Sequence, residues 1–104
     1  PTFRKGLEDQ SVPKGSKLVL EIELDGTPKQ VKWLKDGLPV DDKLMKAKDL
    51  GNGKYQLVID EIKDGDTGEY TVQVSNDAGT VESKAKISLK AGTIIKVIII
   101  NDYN

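Results

Sequence analysis

The sequence predicts an all-β fold, a two-sheet antiparallel sandwich or a barrel, and three observations carry that prediction. Segments of polar and apolar alternation recur along the chain. Turn signals separate them every ~8–12 residues. No stretch keeps the 3.6-residue period of a helix. The chain has 104 residues, the size of one domain and enough to bury a core without disulfides or metal.

Each element has its own justification. "PTF" opens as a short edge segment that tolerates Pro1. Pro13 and Gly15 in "SVPKGS" confine any strand there to an edge. "KLVLEIEL" alternates strictly, with Leu18, Leu20, Ile22 and Leu24 inward and Glu21 and Glu23 outward. "DGTPK" turns, and "QVKWLK" then places Val31 and Trp33 on one face. Asp36-Gly37 supplies a hairpin turn, since both residues accept positive φ. "LPVDDKLMKAKD" is irregular and holds one or two short edge strands. After "GNG", the strand "KYQLVID" points Tyr55, Leu57 and Ile59 inward. "EIKDGDTGE" makes a corner into "EYTVQVSN", where Tyr70, Val72 and Val74 share a face. "SNDAG" closes a last hairpin into "TVESKAKISLK", with Ala85, Ile87 and Leu89 inward. The expected total is seven or eight strands.

Composition bounds the function. Sixteen basic against 17 acidic residues give a formal net charge of -1, without the basic excess of a nucleic-acid binder. The chain has no cysteine and no histidine, so disulfides, thiolate metal sites and histidine acid–base chemistry are all excluded. Asn52, Asn76 and Asn101 each lack the Ser or Thr of a glycosylation sequon. No signal peptide is visible in these residues. These absences point to the cytoplasm.

The segments "GTPKQVKWLKDG" and "LVIDEIKDGDTGEYTVQVSNDAGT" resemble the intermediate-set immunoglobulin domain over residues 1–90. The resemblance rests on Trp33, on the run Asp66, Gly68 and Tyr70, and on Asn76 and Gly79 flanking the last hairpin. It implies a core built on Ile22, Trp33, Leu57, Tyr70 and Val72. Trp33 plugs the space between the sheets, and Tyr70 forms a tyrosine corner with upstream backbone. Gly68 and Gly79 relieve crowded or positive-φ positions. The family's two sheet-linking cysteines fall at Ile22 and Val72. Such a cross-link would close a loop of about 50 residues, worth about 3–4 kcal/mol. Two buried aliphatics recover part of that, at about 1.5–3 kcal/mol each. "PTFRKGLEDQSVPKGSKLVLE" and "VKWLKDG" further look like the domains of intracellular giant muscle proteins of the titin, twitchin and obscurin type.

Several stretches mimic chemical sites. In "DEIKDGDTGEYT", Asp60, Asp64 and Gly65 fit a calcium loop, but Ile62 takes a ligand position and Thr71 stands where the bidentate Glu belongs. "GNGK", Gly51 to Lys54, lacks the remainder of a phosphate loop and reads as a hairpin turn. Asp41-Asp42 and Asp60-Glu61 are adjacent pairs whose side chains diverge on a strand, so neither makes a catalytic dyad. Lys43, Lys46 and Lys48 alternate into a basic strip suited to a filament, but Asp41, Asp42 and Asp49 dilute its field. The expectation is therefore no enzyme, no cofactor and no metal.

Residues 91–104 depart from the family pattern. Ile94, Ile95, Val97, Ile98, Ile99 and Ile100 are interrupted only by Lys96. Seven residues are far short of the ~20 a membrane-spanning helix needs, and the β-branched run favours a strand. Such a strand pairs with an exposed sheet edge of its own domain or of a neighbouring copy. The alternatives are a linker to a next element and a segment foreign to the parent protein.

The resemblance implies a non-catalytic structural and interaction module of a sarcomeric or cytoskeletal giant protein, serving as spacer, mechanical element or docking platform. Its partners would be neighbouring immunoglobulin or fibronectin-type modules and sarcomeric proteins, with self-association through the C-terminal strand. Neither nucleic acid nor membrane is expected. The alternative is a cell-surface recognition or adhesion domain, which would ordinarily keep the disulfide.

Overall fold

The computed structural model describes residues 1–90, and the expected extension at 91–104 lies outside the described residues. Nine strands form, one or two more than the alternation alone suggested. They are β1 (Thr2–Lys5), β2 (Gln10–Val12), β3 (Leu18–Asp25), β4 (Gln30–Lys35), β5 (Leu38–Pro39), β6 (Lys46–Gly51), β7 (Lys54–Ile59), β8 (Gly68–Asn76) and β9 (Gly79–Leu89). The irregular segment thus yields two edge strands, β5 and β6. A 3-10 turn at Asp64–Asp66 joins β7 to β8.

The strands divide into two sheets, ordered β1-β3-β7-β6 and β2-β9-β8-β4-β5. Every pairing is antiparallel except that of β2 with β9. This exception arises because the N-terminal segment changes sheets. After pairing with β3, it crosses at Gly6–Asp9 and joins β9. Gly6 is needed there, since a Cβ would lie 2.8 Å from Ser83 Oγ. That same hydroxyl accepts the Leu7 N–H at 2.8 Å.

The core lies between the sheets. From β3 it takes Leu18, Leu20, Ile22 and Leu24, in the alternation the sequence shows. The facing sheet contributes Trp33, Tyr70, Val72 and Ile87. Ile22 and Val72 are both fully buried in this one cluster, on opposite sheets. Branched carbons therefore fill the positions that cysteines hold in the disulfide pattern, and burial contributes about 1.5–3 kcal/mol for each.

Two core residues come from outside the strands. Met45 is buried because a turn, closed by its N–H on the Asp41 carbonyl at 3.0 Å, folds residues 41–45 back on the sandwich. Ile62 is buried at the corner, where its N–H and carbonyl bond Ser16 O and the Gly15 N–H at 2.9 and 2.8 Å. Two residues on the outer faces are buried against the alternation. Val58 sits between Val19 and Lys46 of its flanking strands, and Thr71 between Leu34 and Lys84. Central strands carry neighbours on both sides, and these cover their outward side chains.

Candidate interaction surface

Three features stand out on the surface: a pinned corner, a clamp between the terminal strands, and an open flank. The corner is built around Tyr70, whose hydroxyl donates to the Asp66 carbonyl at 2.6 Å. Burial raises the pKa of this phenol well above its ordinary value, and the charges of Asp66 and Asp36 add to that. Beside it, Asp36 sits in a left-handed turn with φ 49°. Its carboxylate accepts the Glu69 N–H at 3.0 Å, while its own N–H donates to the Glu69 carbonyl at 2.8 Å. The backbone hydrogen bond, aided by Lys35, holds this carboxyl below the usual range. Gly68, at φ 146°, makes room for it, because a Cβ would lie 2.7 Å from both carboxylate oxygens.

The clamp joins β2 to β9. Gln10, Ser11 and Val12 lie beside Ile87, Ser88 and Leu89. Further hydrogen bonds extend this short ladder at both ends and across it. Asp9 accepts the Lys86 N–H at 2.7 Å, and Ser11 and Ser88 share a hydrogen bond of 2.9 Å. The Lys90 N–H reaches the Val12 carbonyl at 2.7 Å. At the other end of the sandwich, Arg4 fastens β1 by pairing with Asp25 at 3.2 Å and donating to the Asn52 carbonyl at 3.0 Å.

The open flank runs from β5 to β6. Among the described residues, the exposed large hydrophobics are Leu38, Leu44 and Leu50, at 69%, 66% and 50% exposure, and all fall on this flank. β6 is exposed at every residue and is the last strand of its sheet. Alongside it opens a shallow cleft of about 310 Å³, floored by Val31, Trp33, Ala47 and Tyr55 and rimmed by Lys29 and Asp49.

The stretches that mimic chemical sites do not converge. Gly51 to Lys54 is the β6–β7 turn, with φ 82°, 56° and 80° at Gly51, Asn52 and Gly53. Asp64 pairs with Lys14 at 3.2 Å, Asp60 with Lys46 at 3.4 Å, and Asp66 accepts the Lys63 N–H at 2.8 Å. Among the described residues, no three acidic side chains gather as metal ligands would. The pairing of Lys46 with Asp60 also weakens the basic strip of Lys43, Lys46 and Lys48.

A two-sheet sandwich with a tyrosine corner and a parallel pairing of β2 with the last strand, β9, defines an immunoglobulin-like domain. Residues 1–89 match the immunoglobulin I-set domain family, and the chain belongs to it. It is 55% identical over 91 residues to the muscle M-line assembly protein unc-89 of Caenorhabditis elegans, covering 88% of this chain and 1% of that protein. It is 35% identical over 91 residues to the fast-type myosin-binding protein C of Gallus gallus, covering 86% of this chain and 8% of that one. The chain thus spans a small fraction of these curated relatives. Among solved structures, the titin M3 domain superposes with a TM-score of 0.80 at 28% identity, covering 86% of this chain and 95% of that one.

Proposed function

We propose that the chain is a non-catalytic module of a sarcomeric giant protein, acting as a spacer and mechanical element that also docks neighbouring domains. The observation that carries this reading is the β2–β9 clamp and its place relative to the two ends of the domain. Thr2 lies beside Asp25, at the end of β3. Leu89 lies beside Val12, just before the turn that starts β3. The two ends of residues 1–90 therefore lie at opposite poles. A pull between them loads the parallel strands in shear, so their hydrogen bonds resist together instead of peeling one by one. Kinship with an M-line assembly protein and a myosin-binding protein supports a sarcomeric setting. Aliphatic residues at 22 and 72 suit a reducing cytoplasm, and favour this reading over a cell-surface recognition domain.

The reading is tested by single-molecule pulling in two geometries. Attachment at the two poles should give a high unfolding force. Attachment at Gly65 in the corner and at residue 90, which share one pole, opens the β8–β9 pair from its Gly68–Ile87 end and should give a markedly lower one. Equal forces in both geometries would remove the mechanical role.

The reading extends to residues 91–104 as an extension beyond the domain 1–90. Its isoleucine-rich stretch associates copies of the chain by pairing with an exposed sheet edge, as the long free edge of β6 favours. Light scattering of the full chain should then report more than a monomer.

A further inference from the structure

β6 is the longest edge strand among the described residues. The other edges are poorer templates: β1 has four residues, β2 has three and runs into Pro13, and β5 has two, one of them Pro39, whereas β6 keeps regular register from Lys46 to Asp49 and shifts only between Asp49 and Gly51. We propose that the free side of β6 takes residues 94–100 of a second copy as an added strand, with Lys96 set opposite Asp49. This rests on the self-association reading above and specifies its partner surface.

Asp49 is the selective feature. Within β6, Ala47 and Asp49 lie opposite Leu57 and Tyr55 of β7, on the side facing the cleft, while Lys46 and Lys48 lie opposite Val58 and Gln56 on the outer side. Among the described residues Asp49 makes no ion pair, and its carboxylate accepts only the Gly51 N–H, at 3.0 Å. An inward charge on an edge repels most added strands, because it would face an apolar side chain. It admits a strand that brings a cation to that one place.

β6 cannot serve as its own partner. Residues directly opposed in an antiparallel pair share a face. A two-fold pairing of β6 with β6 therefore sets Lys48 against Lys48, or Asp49 against Asp49, in either register overlapping more than three residues. Like charges so opposed are destabilising. Residues 94–100 carry one charge, Lys96, with Ile94 and Ile98 two places to either side. With Lys96 at Asp49, an isoleucine falls opposite Ala47 in either strand direction, Ile98 if antiparallel and Ile94 if parallel. That isoleucine covers the cleft beside Trp33 and Tyr55.

The donor must be another copy. β9 lies on the β2 side of the sandwich, and β6 closes the opposite flank of the other sheet. Three strand spacings of ~4.8 Å and a sheet gap of ~10 Å separate them, about 17 Å. The four steps from Lys90 to Ile94 reach at most about 14 Å.

Sedimentation equilibrium on the full 104-residue chain tests this. The unaltered chain should associate. Asp49→Asn keeps an acceptor for the Gly51 N–H and should weaken association ~2–5-fold. Asp49→Lys, which opposes Lys96 with a like charge, should weaken it roughly tenfold. The exchange Asp49→Lys with Lys96→Asp should restore it to within about threefold. Association unchanged by Asp49→Lys, or lost and not restored by the exchange, would overturn this site while leaving self-association intact. A chain monomeric throughout would overturn both.

Discussion

Tyr70 shows how one side chain fixes a connection. Its ring lies in the core and its hydroxyl holds the Asp66 carbonyl, so the 3-10 turn cannot swing away from β8. Tyr70→Phe should cost about 1–3 kcal/mol in denaturant unfolding, as the carbonyl loses its donor. The raised ionisation point adds a pH signature. The folded state favours the neutral phenol, so this contribution is complete below the ordinary tyrosine value near pH ~10 and is lost as pH rises beyond it. Wild type should lose stability in alkali more steeply than Tyr70→Phe. Asp36 has the opposite sign. Its folded value is lowered, so its contribution stands above the ordinary aspartate value of about 4 and fades as pH falls through the folded value. Asp36→Asn should flatten the acid limb of stability against pH, read from urea midpoints. Ile22 and Val72 supply a third test. Ile22→Cys with Val72→Cys should close a disulfide on oxidation and gain up to about 4 kcal/mol, reversed by reductant. Failure of the cysteines to join would contradict their placement across the core.

Elements differ in how much of them the sequence reveals. β3 is legible because Leu18, Leu20, Ile22 and Leu24 alternate without interruption, and all four are buried. The turns at Asp36-Gly37 and Gly51–Gly53 are legible for a local reason, as these residues tolerate positive φ. Met45 and Ile62 are not legible, because they enter the core from loops and periodicity says nothing about loops. The burial of Val58 and Thr71 depends on which strands flank them, which alternation within one strand does not encode. The surface features follow the same division. Asp36 reads as a turn residue, but its grip on Glu69 requires Gly68 to arrive from a distant segment. The clamp residues Asp9 and Ser88, and Ser83 at the crossover before them, carry no motif, and only the sheet-crossing of the N-terminal segment gives them their partners. Asp49 reads as a dilution of a basic strip, and its inward position appears only once β6 is paired with β7.

At the scale of the whole molecule, two layers hold together by packing alone, and the poles connect through the β2–β9 pair. Equilibrium stability and mechanical strength then have different origins. Stability is spread through the core, while resistance to a polar pull concentrates at the clamp. Forced unfolding follows the unfolding rate and not the equilibrium constant, so the two can be separated by mutation. The most direct test compares Ser88→Ala and Asp9→Ala with Tyr70→Phe, pulled from pole to pole, with each variant's equilibrium stability measured alongside. The account predicts that the clamp variants lower the unfolding force well beyond their equilibrium cost, while Tyr70→Phe lowers it little. Forces that simply track equilibrium stability across all three would contradict it.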